Sequence, residues 1–111
     1  MKKLNFEIMD AQSQSLYSPP VDFYEDLDCY FLIIELPGLN EEEIKVKIEN
    51  NELTISGTKK TDQFSKYKTV RSERAFGPFI RKMKLGFKLK ENMIEKTYID
   101  GILKLKITKK G

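Results

Sequence analysis

From Ile44 to Gly57 the chain alternates between apolar and polar residues, with a turn in the middle. Ile44, Val46 and Ile48 alternate with Lys45, Lys47 and Glu49. Asn50-Asn51 follows, and then Leu53, Ile55 and Gly57 alternate with Thr54 and Ser56. A period of two sends successive side chains to opposite faces, so each half is a strand with one wet face. Asparagine tolerates positive φ, which a tight reversal needs, so the two halves form a hairpin. The same pattern recurs near the end of the chain. Ile94 to Ile99 and Leu103 to Ile107 flank Asp100-Gly101, a two-residue turn signal.

Helical periodicity is nearly absent. Val21 to Glu25 reads as an edge strand, and Asp26-Leu27-Asp28 as a turn. Tyr30 to Leu36 is apolar on both faces, which predicts a central strand covered on both sides. Pro37-Gly38 ends it. Phe79, Arg81, Met83 and Leu85 share one face of a further strand, opposite Ile80, Lys82 and Lys84. Val70 to Arg74 reads as extended, with Gly77-Pro78 breaking or bulging that strand. Residues 86–92 read as a loop. Short strands separated by turn signals predict an all-β fold, an immunoglobulin-like antiparallel β-sandwich. Its two sheets bury Ile44, Val46, Ile48, Leu53, Ile55, Leu103, Leu105 and Ile107 between them.

The predicted organisation is an N-terminal arm over 1–18, one domain over 19–109, and a short end at 110–111. Gln12 to Ser15 make the arm polar, but Leu4, Phe6 and Ile8 form a strand-like stripe at its start. Three readings of that stripe stand. It adds to an open sheet edge, it covers a groove and yields to other chains, or it belongs to a disordered arm that contacts other proteins. Residues 58–69 are a long polar connection whose large apolar groups are Phe64 and Tyr67. A connection of that length in a small β domain usually carries a function.

Composition excludes more than it identifies. The chain has 111 residues, a net charge of +3 and no histidine. Serine–histidine triads and the common zinc sites therefore have no ligands or bases. No phosphate-binding glycine loop and no CxxC is present, so no cofactor or metal is expected. Glu41-Glu42-Glu43 beside a turn is a solvated run rather than an acid–base pair. The lysines alternate along strands, which places them on wet sheet faces rather than in a stripe for nucleic acid. Cys29 is the one cysteine, which excludes an internal disulfide and fits a reducing compartment. No apolar run approaches the length of a membrane span, and the N-terminus lacks a secretory pattern. The expected location is the cytoplasm. Arg81 is the exception in an apolar row. Either it lies at a sheet margin and snorkels outward, or it meets acidic groups of a second subunit.

Taken in order, these residues resemble the α-crystallin domain of small heat-shock proteins over about 19–109. Pro19 to Glu25 is similar to the family's opening strand, and Glu35-Leu36-Pro37-Gly38 to its turn. Glu43 to Val46 and Leu53 to Gly57 resemble the next two strands. Glu73-Arg74 through Phe79-x-Arg81 resembles the stretch holding the family's arginine, and Asp100-Gly101-Ile102-Leu103 its hairpin signature. The resemblance implies an ATP-independent holdase that binds partly unfolded proteins and is not an enzyme. It also implies a homodimer in which the long connection carries a strand to the partner's opening strand. Val21, Phe23, Phe64, Tyr67 and Arg81 are the implied dimer interface. Ile44, Val46, Ile48, Lys96 and Tyr98 are the implied groove for clients, and Leu4, Phe6 and Ile8 the arm's contacts. Two rivals accompany this reading: a CS-type co-chaperone domain, which shares the sandwich, and a basic β domain that binds nucleic acid.

Two departures from the family pattern accompany the resemblance. No Ile-x-Ile/Val tail follows the last strand before Gly111. Where the family has Ala-x-x-x-Asn-Gly-Val-Leu, this chain has Lys96-Thr97-Tyr98-Ile99-Asp100-Gly101-Ile102-Leu103. A lysine there narrows an apolar groove and charges its rim. The expectation is a dimer or small oligomer rather than a large shell.

Overall fold

Two four-stranded antiparallel sheets face each other across one apolar core. The computed structural model describes residues 6–8 (backbone), 17–60, 64 and 66–109. The strands in chain order are β1 Phe6–Ile8, β2 Val21–Glu25, β3 Cys29–Glu35, β4 Lys45–Glu49, β5 Glu52–Lys59, β6 Gly77–Leu85, β7 Ile94–Ile99 and β8 Ile102–Thr108. One sheet has the order β1-β6-β5-β4 and the other β2-β3-β8-β7. Short 3₁₀ turns at Glu41–Glu43 and Glu91–Met93 lead into β4 and β7.

Register follows the hydrophobic pattern. Val46 pairs with Ile55 and Ile48 with Leu53, while Leu32 pairs with Leu105 and Ile34 with Leu103. Leu32, Ile34, Leu53, Ile55, Met83, Leu103, Leu105 and Ile107 have no exposed surface. Each such side chain contributes about 1.5–3 kcal/mol relative to exposure, and a slip of one residue turns the whole set to water. Val46 and Ile48 are only half-buried because β4 is an edge strand. Both predicted hairpins form. Asn50 (φ 58°) turns β4 into β5, and Asp100 (φ 54°) with Gly101 (φ 76°) turns β7 into β8.

Several expectations are corrected. β3 is central, between β2 and β8, but among the described residues it is buried on one side only. Its outer residues Phe31 and Ile33 are half-buried on a face that no other described strand covers, and Lys104 lies over the Phe31 ring at 5.9 Å. β5 runs past Gly57 to Lys59, paired with β6 down to Gly77. No strand lies between Lys59 and Gly77 among the described residues, so Val70 to Arg74 is not extended sheet. Gly77-Pro78 opens β6 instead of breaking it. Pro78 sits where β1 does not reach, since β1 pairs only with Met83 to Leu85, and a missing donor is tolerated there.

The packed unit also begins earlier than Pro19. Tyr17 is 9% exposed, donates its hydroxyl to the Glu35 carbonyl at 3.1 Å and meets Phe79 edge-on at 5.8 Å. An aromatic ring with a polar tip is buried when that tip has a partner.

Candidate partner-binding and client-binding edges

The sheet orders leave β2, β4 and β7 as terminal strands, and β1 as the terminal strand beside β6. A terminal strand presents a row of unpaired N–H and C=O groups, which is a template for another chain.

At the β2 edge, Val21 and Phe23 are half-buried and Tyr24 is exposed. Phe23 stacks on Tyr30 at 5.1 Å, and Tyr30 stacks on Phe87 at 5.8 Å. The start of β2 is held by Arg81, whose Nη1 donates to the Pro19 carbonyl at 2.6 Å. Arg81 is half-buried, its stem against the apolar row and its charged head at the sheet margin. The β2–β3 turn is held by Asp26, whose Oδ1 accepts from the backbone N–H groups of Asp28 and Cys29 at 2.8 and 2.7 Å. Those two bonds, with minor help from Lys109 and Lys106, hold the Asp26 carboxyl below the ordinary range. Lys109 closes the other side. Its Nζ donates to Glu25 Oε2 at 2.7 Å and to the Asp26 carbonyl at 2.6 Å, and lies 4.8 Å above the Tyr30 ring. The Glu25 bond is the main cause of its raised pKa.

Phe64 and Tyr67 lie in the segment between β5 and β6. They are 58% and 70% exposed, and Val70 is 93% exposed. The two rings touch each other at 5.8 Å. Further along the segment Arg71 pairs with Glu73 at 2.6 Å and Arg74 lies over Phe76 at 4.8 Å. A cavity of about 410 Å³ is lined entirely by residues of this segment, from Phe64 to Phe76.

The five predicted groove residues lie on or next to β4 and β7, on either side of the gap that Lys96 spans, and Lys96 itself is exposed. Ile44 is buried, and Val46, Ile48 and Tyr98 are half-buried against the core, as is Ile94. Lys96 pairs in register with Leu105, a core residue, so it stands on the inner side of β7. Its Nζ donates to the Ile44 carbonyl at 3.2 Å and so spans the two sheets. Tyr98 closes one end of the gap. Its hydroxyl is bonded to the Leu36 carbonyl and, at 3.2 Å, to that of Leu39. This double anchor and the Arg81–Pro19 bond are not foreseeable from side-chain spacing, because both end on backbone carbonyls. Beside β4, the Glu43 carboxylate accepts from the Asn40 N–H at 2.8 Å, which chiefly lowers its pKa, and Lys60 adds to this at 3.4 Å.

Of the arm's stripe, β1 brings Phe6 opposite Leu85 and Ile8 opposite Met83 along β6. Strand addition to a sheet edge is therefore the arrangement seen for 6–8. Leu4, the polar stretch Gln12 to Ser15 and residues 110–111 lie outside the described residues.

Among the described residues no three His, Cys, Asp or Glu side chains are grouped to hold a metal ion, and no helix is long and apolar enough to cross a membrane. Strand edges and apolar rims are what the surface offers, and they suit binding of extended polypeptide.

Comparison with known proteins identifies the family. A family model described as Hsp20/alpha crystallin family matches residues 22–111. Small heat shock protein C4 of Rickettsia felis is 35% identical over 107 residues, covering 96% of this chain and 66% of its own length. A 17.7 kDa class II heat shock protein of Arabidopsis thaliana is 35% identical over 100 residues, covering 87% of this chain and 64% of its own. The chain thus spans just under two thirds of the length of these curated relatives. Among solved structures, heat shock protein 16.0 from Schizosaccharomyces pombe superposes with a TM-score of 0.76 at 30% identity, covering 85% of this chain and 88% of that one. A small heat-shock protein from Xylella fastidiosa gives 0.73 at 28%, with 87% and 90% covered. With its α-crystallin β-sandwich, the chain belongs to the Hsp20/alpha crystallin family, the non-enzymatic small heat-shock proteins.

Proposed function

We propose that this chain is an ATP-independent holdase, which binds partly unfolded proteins and keeps them from aggregating. The observation that carries the reading is the pair of terminal strands β4 and β7, each bordered by exposed or half-buried apolar side chains. Partly unfolded chains expose the complementary features, apolar side chains and unpaired backbone groups, so edge pairing captures them without nucleotide chemistry. The arm residues Leu4, Phe6 and Ile8 add client contacts in this reading. Among the described residues β1 pairs with three residues of β6, a pairing short enough to yield.

The working unit is a homodimer made by exchange of the segment between β5 and β6. That segment exposes Phe64, Tyr67 and Val70 and has no strand partner in its own chain among the described residues. The β2 edge of a second copy supplies one, with Val21, Phe23 and Arg81 beside it. Lys96 charges the rim of the β4–β7 groove and so favours the dimer or a small oligomer over a large shell. Location in the cytoplasm is part of the same proposal, supported by Cys29 standing as a free buried thiol. No observation favours the CS-type or the nucleic-acid reading over the family match.

The test is turbidity of a heat-labile protein warmed with the chain in nucleotide-free buffer. Suppression near equal molar amounts is expected, and undiminished turbidity at a several-fold excess contradicts the proposal.

A further inference from the structure

The Lys96–Ile44 bond is an unusual closure. An inward-facing lysine at a terminal strand normally only discourages pairing. Here the ammonium reaches the opposite sheet and donates to a neutral carbonyl at 3.2 Å. It makes no ion pair among the described residues, and the nearby carboxylates are engaged elsewhere. Glu95 faces Lys106 at 3.9 Å, and Glu43 faces Lys60 at 3.4 Å. A carboxylate is a stronger acceptor for an ammonium than a carbonyl is.

The walls on either side are apolar. Val46 and Ile48 on β4 and Ile94 on β7 are half-buried, and Tyr98 shuts the gap at its other end. A segment entering here meets two strands that are terminal among the described residues, apolar surface and one cation holding a replaceable partner.

We infer that Lys96 makes the β4–β7 groove selective for an extended segment of a client chain that carries a carboxylate between apolar side chains. The carboxylate takes the ammonium from the Ile44 carbonyl, and the flanking apolar groups pack on Val46, Ile48 and Ile94. The inference rests on the holdase reading, which supplies extended segments as ligands. It adds a preference that an uncharged groove residue does not impose.

Fluorescence polarisation with the full chain tests it. The probes are three labelled heptapeptides that differ only at the centre, where aspartate, asparagine or lysine stands between two isoleucines. The aspartate peptide is expected to bind about tenfold tighter than the asparagine peptide, with the lysine peptide weakest. The aspartate advantage shrinks as salt rises. Lys96→Met, which keeps the aliphatic stem, removes the advantage but still binds the asparagine peptide. Equal binding of all three by the wild type, or no binding of any, overturns the inference. A uniform gain for all three in Lys96→Met overturns it too, since Lys96 is then only an edge guard. Turbidity suppression by the same wild-type preparation separates the two readings. Suppression without an aspartate preference removes this inference alone, and the preference without suppression removes the holdase reading.

Discussion

Arg81 donates to the carbonyl of Pro19 at 2.6 Å, across 62 positions of sequence. The bond ties the middle of β6, in one sheet, to the residues that lead into β2, in the other. A residue that reads as an awkward charge in an apolar row is thereby a brace for the strand proposed to receive a second subunit. Arg81→Leu removes a charged donor from a buried carbonyl and is expected to cost about 1.5–3 kcal/mol. Arg81→Lys recovers only part, because a single ammonium replaces a planar fork. Urea denaturation of both variants, run at several protein concentrations, measures the loss and shows whether dimerisation weakens with it.

Gly57 faces a close approach of two elements. A Cβ there meets the Glu43 carbonyl oxygen at 2.8 Å and the Phe79 ring at 2.8 Å. The first contact is backbone and the second a buried ring, so neither gives way easily. Gly57→Ala is expected to destabilise the fold by about 1–3 kcal/mol, as overpacking does. The denaturation midpoint reads this directly.

Tyr98→Phe keeps the ring and removes a hydroxyl bonded to two carbonyls. The expected cost is about 1–3 kcal/mol, because a buried acceptor at Leu36 loses its partner. Amide hydrogen exchange over residues 36–44 is expected to quicken, and unchanged protection there contradicts the anchoring role.

Asp26 and Lys109 set the pH response of the β2–β3 turn. Asp26 titrates below its ordinary value, so its contribution is present above the unfolded pKa and is lost as pH falls through the folded one. Lys109 titrates above its ordinary value, so its contribution is present below the unfolded pKa and is lost as pH rises through the folded one. Stability measured against pH is expected to fall at both extremes. Asp26→Ala flattens the acid limb, and Lys109→Met the alkaline limb.

The strands were legible wherever one face is buried and the other wet. The stretches Ile44 to Gly57 and Ile94 to Ile107 carry a period of two that water and core enforce together. Reading failed where backbone carries the interaction. Tyr98 and Arg81 both end on carbonyls, which no side-chain pattern reports. It failed again where an apolar strand face is only half-buried. Phe31 and Ile33 look like core on an apolar run, yet lysine stems and solvent border them. Lys96 was legible as an oddity from its register with Gly101. Its bond to Ile44, across two sheets, needed the fold.

The most direct test of the account is size-exclusion chromatography with in-line light scattering, run after warming the chain with a labile protein in nucleotide-free buffer. The account predicts that the labile protein stays soluble and elutes in a complex with this chain, and that added ATP changes nothing. Quantitative precipitation of the labile protein, with the chain left alone in the soluble fraction, would contradict it.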